Sequence, residues 1–157
     1  MNIALIVEYD GTDFDGFQYQ PYMCTIQGEL EIAIEKLLKS KIRINAAGRT
    51  DSGVHAKAQI ITFRTTKDYS LKDVIGALNY YLPKAISVHD AVIVSDDFNP
   101  RRNAYSRQYR YSMYCGDQDS PLNNRMAFKV PLNLNVELMK EAAKIFRGIH
   151  DFKNFGK

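Results

Sequence analysis

Two helically periodic stretches, each bracketed by β-branched runs, constrain this chain more than any other feature. Ile26, Leu30, Ala33, Ile34, Leu37 and Leu38 recur at three- and four-residue spacing behind Thr25, a residue type that caps helix N-termini. Leu71, Val74, Ile75, Leu78, Tyr81 and Leu82 repeat the pattern. They follow Ser70-Leu71-Lys72-Asp73, which has the shape of a capping box with Asp in place of Glu, and Pro83 stops them. Around these helices Ile3–Tyr9 reads as a buried strand, Ile42-Arg43-Ile44 alternates like one, Ile60–Phe63 gives a third and Ile86–Val94 a fourth. The order is β-α-β-β-α-β. It predicts an α+β, ferredoxin-like domain over residues 1–94, a four-stranded antiparallel sheet covered on one face by two helices.

From Ser95 the pattern restarts. Asp96-Asp97-Phe98-Asn99-Pro100 is a turn-rich link. Arg107 to Tyr114 alternates and predicts a strand with Arg107, Tyr109 and Tyr111 on one face and Gln108 and Arg110 on the other; Met126 to Val130 is its expected partner. Asn135 caps a third helix with Leu138, Met139, Ala142, Ile145 and Phe146 on one face, closed by Gly148. Residues 95–157 therefore read as a link and the start of a second, similar α/β domain.

Charge and cysteine usage bound the function class. The formal charge of +3 is only mildly basic, so a nucleic-acid face must come from clustering. Lys36, Lys39 and Lys41 gather at the end of the first helix, where they oppose the negative end of its dipole, and read as a solvated terminus. Arg101, Arg102, Arg107 and Arg110, with Tyr105 and Tyr109 between them, are the densest basic-aromatic stretch and suit structured RNA better. Cys24 and Cys115 form no C-x-x-C pair, and His55, His89 and His150 have no metal-ligand spacing. Without a signal-peptide pattern or a membrane-length apolar run, the expectation is a soluble cytoplasmic protein with no membrane partner.

Chemistry concentrates in Ala46-Ala47-Gly48-Arg49-Thr50-Asp51-Ser52-Gly53-Val54-His55-Ala56. An arginine and a carboxylate sit two residues apart between glycines, in a polar loop between two strands. Gly48 and Gly53 have P-loop spacing, but Val54 and His55 stand where a phosphate-binding lysine and a magnesium-binding hydroxyl belong, which argues against a nucleoside triphosphate site. A plain hairpin loop, with Asp51 and Ser52 capping backbone groups, is the alternative. Upstream, the loop from Asp10 to Pro21 carries Phe14, Phe17 and Tyr19, with Tyr9 and Tyr22 at its flanks. These rings read equally as covers for a small core or as a surface for bases and riboses.

The run Ala47–Ala56 resembles the A-G-R-T-D-x-G-V-H-A signature of the TruA family of tRNA pseudouridine synthases. Tyr9-Asp10-Gly11 with Gly16-Phe17-Gln18 resembles the family's opening motif, and Arg107-Gln108-Tyr109-Arg110-Tyr111 its R-x-Y-x-Y strand. The match extends to His150-Asp151-Phe152 in family order. The resemblance implies an isomerase that converts uridine to pseudouridine in the anticodon stem and loop of tRNA, needs no cofactor or metal, and forms a homodimer as the full-length protein. Family members continue beyond residue 157, so this chain is expected to be an N-terminal portion or a short relative. A later family motif supplies a basic partner for the catalytic aspartate and an apolar wall for the base.

By the same resemblance Asp51 is the nucleophile. Tyr109 packs against the target base, and Arg49 lies beside the vacated stack and holds phosphate, unless it is spent on a salt bridge to Asp51. Arg107 and Arg110 are expected to bind substrate. An aspartate suits the task because breaking a glycosidic bond builds positive charge on the sugar, which a carboxylate can attack or stabilise. A non-catalytic RNA-binding module, or an inactive fragment of such an enzyme, is the alternative.

Overall fold

The computed structural model describes residues 1–155 and separates into two compact units, Met1–Arg107 and the residues from Gln108 onward. In the first, six elements follow the expected order: β1 (Asn2–Tyr9), α1 (Ile26–Leu38), β2 (Asn45–Ala46), β3 (Ala56–Arg64), α2 (Leu71–Tyr81) and β4 (Ile86–Val94). The sheet order is β2-β3-β1-β4 with every pair antiparallel, the ferredoxin-like arrangement.

Alternation along β1 sends Ile3, Leu5, Val7 and Tyr9 into the core. There they meet Ile26, Leu30, Ala33 and Ile34 of α1 and Val74 and Leu78 of α2. Both helices start where capping chemistry puts them, with Thr25 accepting from the Gly28 N–H at 3.2 Å and Ser70 from the Asp73 N–H at 3.1 Å. The lysines at the end of α1 are joined there by Lys67, whose Nζ donates to the Leu38 carbonyl at 2.7 Å. Leu30 is fully buried at the centre of this packing. Leu30→Ala should destabilise the protein by about 2–5 kcal/mol in chemical denaturation, and a loss under about 1 kcal/mol would contradict this account of the core.

The second strand lies later than expected. Ile42–Ile44 does not pair; β2 is Asn45–Ala46, opposite Thr62 and Ile61. The backbone just before it is taken up by a side chain, since the Ile44 N–H donates to Glu31 Oε1 at 3.2 Å while Arg43 bridges to Glu31 Oε2 at 2.7 Å. Ile44 itself is buried in the core, so its apolar character reflects packing and not ladder pairing.

In the second unit β5 (Met113–Cys115) pairs in parallel with β6 (Phe128–Val130), and α3 (Val136–Ile145) follows, capped by Asn135 as expected. Gly148 takes a positive φ after it. The strand expected from Arg107 to Tyr114 is confined to its last residues. Pairing begins at Ser112, whose carbonyl accepts from the Phe128 N–H at 2.8 Å. Upstream, residues 107–112 lie outside any strand. No residue of α3 is buried. Its amphipathic pattern is real, but its apolar side is not covered by the described residues.

Candidate functional site

The 47–56 loop joins β2 to β3, and two side chains from the sheet grip its first half. Tyr9, at the end of β1, is 2% exposed, and its hydroxyl lies 2.8 Å from Thr50 Oγ1. Gln59, in β3, is also buried and donates from Nε2 to the Gly48 carbonyl at 2.9 Å. The register helps to bring them there. Val7 pairs with Gln59 but Tyr9 with Ala56, so β3 carries an extra residue opposite Glu8, a bulge beside the loop.

The second half of the loop lies on the segment that follows β1. The Phe17 N–H donates to the Thr50 carbonyl at 2.9 Å, and Ser52 Oγ donates to the Phe14 carbonyl at 3.0 Å. Gly11 passes so close to Val54 that a Cβ there would sit 2.1 Å from the Val54 carbonyl oxygen. Gly16, at φ +95, is similarly close to Thr50, where a Cβ would lie 3.1 Å from the carbonyl oxygen. His55 Nδ1 lies 3.1 Å from the Gly11 nitrogen and 3.0 Å from Asp10 Oδ1. Without a hydrogen Nδ1 accepts from the former, and with one it donates to the latter. The two sequence motifs at 9–18 and 47–56 are therefore one structure, a loop and its cradle.

This arrangement decides the reading of the aromatic loop. Tyr9, Phe14 and Phe17 belong to the core, with Tyr9 and Phe17 ring centroids 6.1 Å apart. Tyr19 is partly exposed and carries the Arg43 guanidinium 4.5 Å from its ring centroid, a cation–π contact; Tyr22 is fully exposed.

Asp51 and Arg49 stand at the outer side of the loop, both exposed. Among the described residues of its unit neither side chain makes a hydrogen bond or ion pair, so the salt bridge weighed for Arg49 does not form there. The backbone around Asp51 is fixed by a turn, with the Val54 N–H donating to the Asp51 carbonyl at 3.2 Å and Gly53 at φ +77. The result is an open carboxylate on an anchored backbone, which can act as a nucleophile or stabilise a developing cation. Arg107 is tied to the same loop: one terminal nitrogen, Nη2, donates to the Ala47 carbonyl at 3.0 Å and to the Arg101 carbonyl at 2.9 Å. Sequence reasoning missed the roles of Tyr9, Gln59 and this Arg107 tether.

Tyr109 and Arg110 lie in the second unit, both exposed, Tyr109 at 84%, in the stretch before β5 that carries no regular pairing. Tyr105, Tyr109 and Tyr111 all present open rings. The described residues include no helix long and apolar enough to cross a membrane.

The model of the tRNA pseudouridine synthase family matches residues 5–101, which include both the loop and its cradle. Among curated proteins, "tRNA pseudouridine synthase A" of Geotalea daltonii is 43% identical over 98% of this chain and 63% of its own length. The proteins of the same name from Borrelia hermsii and Pseudothermotoga lettingae are 42% and 43% identical, over 95% and 97% of this chain. The chain spans between 61% and 63% of the length of these three relatives.

Proposed function

The chain belongs to the tRNA pseudouridine synthase family, and on that premise we propose that the protein isomerises uridine to pseudouridine in tRNA, in the anticodon stem and loop, with Asp51 as nucleophile. The observation that carries the reading is the open Asp51 carboxylate on a loop anchored by four segments of its own unit: β1, the 10–17 cradle, β3 and Arg107.

The chemistry follows from the carboxylate. Once the target uridine has left its stack, Asp51 attacks ribose C1′ or stabilises the charge that builds there, and the bond from C1′ to N1 breaks with its electron pair leaving on the base. The base turns, and its C5 carbon forms the new bond to C1′ while the carboxylate is released. The hydrogen on C5 leaves as a proton and N1 takes one up. No electrons are gained or lost overall, so the reaction calls for no redox cofactor.

In this reading Arg49 holds phosphate beside the vacated stack. Arg107 retains donors beyond the nitrogen that anchors the loop, since a guanidinium carries five N–H groups, and these with Arg110 serve the tRNA backbone. Tyr109 supports the target base. We assign the protein to the cytoplasm, and a homodimer to the full-length form. In a direct test, the full-length protein is incubated with tRNA tritiated at uridine C5. The reading requires tritium to appear in water as uridine disappears; tight tRNA binding without release would favour an RNA-binding module instead.

Tyr109 gives a second check. Tyr109→Phe keeps the aromatic face and should bind tRNA like the parent, whereas Tyr109→Leu should bind more weakly by about 1–3 kcal/mol, the worth of a lost stacking contact. Equal affinity for all three proteins in a filter-binding titration would remove the ring from the substrate.

A further inference from the structure

We propose that Tyr9, Thr50 and Gln59 form a positioning set that aims Asp51, through a half-buried hydroxyl–hydroxyl contact to the residue before it and the Gln59 amide gripping Gly48. The inference rests on Asp51 being the nucleophile.

Asp51 takes its orientation from the chain that carries it. Its carboxylate has no partner among the described residues of its unit, so its direction is set by the backbone on either side and not by a bond of its own. Thr50, the preceding residue, is held twice: its side chain contacts the Tyr9 hydroxyl at 2.8 Å and its carbonyl accepts from the Phe17 N–H at 2.9 Å. Two residues earlier, the Gly48 carbonyl accepts from Gln59 Nε2 at 2.9 Å. Residues 48 and 50 are thus anchored to the sheet, and Arg49 and Asp51 project outward.

The anchors are rigid. Tyr9 is the last core-facing residue of β1 and packs against Phe17, and Gln59 lies in β3 on the same pleat as Ile61 and Phe63. Burial raises the Tyr9 phenol above its ordinary value, with hydrogen bonds to Thr50 and Gln59 acting the other way, so the hydroxyl keeps its proton at neutral pH. Packing alone would be served as well by Phe at 9, Val at 50 and Leu at 59. A buried polar group carries a desolvation cost, and a network that satisfies every member offsets it while fixing one geometry. That geometry matters because a misplacement of about 1 Å can cost about 100-fold in rate.

The test uses the full-length protein in four forms: Tyr9→Phe, Thr50→Val, the pair together, and Thr50→Ser. Single-turnover tritium release, tRNA affinity and melting temperature are measured beside Asp51→Asn. Tyr9→Phe and Thr50→Val should each slow turnover by about 10-fold or more with tRNA affinity unchanged, a rate loss without a binding loss. The pair should be no slower than either single change, because both remove the same contact, and Thr50→Ser, which keeps the hydroxyl, should restore the rate. Thr50→Val lies in the loop and reads out the contact even if Tyr9→Phe folds poorly. Unchanged rates in Thr50→Val, effects that multiply in the pair, or no rescue by Ser would overturn the proposal. If Asp51→Asn turns over normally, the fault lies in the assignment of Asp51; if it is inactive while Thr50→Val is not, only the positioning set fails.

Discussion

Asp51→Asn in the full-length protein is expected to lower pseudouridine formation by at least about 10,000-fold, the scale seen when an enzyme loses its nucleophile. The substitution is isosteric and removes only the charge and the attacking oxygen. Asp51 is exposed and makes no side-chain bond among the described residues of its unit, so stability should move by no more than about 0.5 kcal/mol. Affinity for tRNA should hold as well, because phosphate contacts from arginine carry most of it. Turnover within about tenfold of the parent, with the asparagine shown not to have deamidated, would take Asp51 out of the reaction.

Gly11→Ala is the second large effect, and it acts without touching the substrate. The new Cβ would stand 2.1 Å from the Val54 carbonyl oxygen and 2.7 Å from its carbon, both backbone atoms that cannot rotate aside. The cradle and the loop must then separate, which breaks the seating of residues 50–54 against 14–17. Overpacking of this kind costs about 1–3 kcal/mol. A displacement of about 1 Å next to the nucleophile should cost about 100-fold in turnover. Gly76→Ala is the control. It lies inside α2 with open space around its Cβ, and alanine there should leave turnover unchanged and stabilise the helix by about 0.5–1 kcal/mol. Parent-like turnover and melting temperature in Gly11→Ala would show that the close approach has no role.

Much of the fold was readable because its signals are local. Thr25, Ser70 and Asn135 cap the helices they were expected to cap, and Ile86–Val94 is a strand over the span its β-branched residues suggest. The failures have one physical origin, since strand formation depends on partners that periodicity does not reveal. Ile42–Ile44 alternates, yet Glu31 captures the Ile44 N–H before a ladder can. Arg107–Tyr111 alternates too, yet lies outside any strand. The candidate site was half legible. The run at 47–56 and the run at 9–18 stood out as separate motifs, but their union is a tertiary event between segments some forty residues apart, marked only by glycines whose missing side chains make room for backbone. Gln59 gave no signal, because one polar residue in a β-branched strand looks like an ordinary strand edge until Gly48 is seen against it.

The most direct measurement is a structure of the full-length protein carrying Asp51→Asn, bound to unmodified tRNA. The account predicts a uridine turned out of its stack, with the side-chain amide oxygen at position 51 about 3–3.5 Å from its ribose C1′, the separation of atoms poised to react. The Tyr9 hydroxyl should still meet Thr50. A different carboxylate, such as Asp13 or Asp15 of the cradle, at that distance from C1′, with residue 51 turned away, would contradict it.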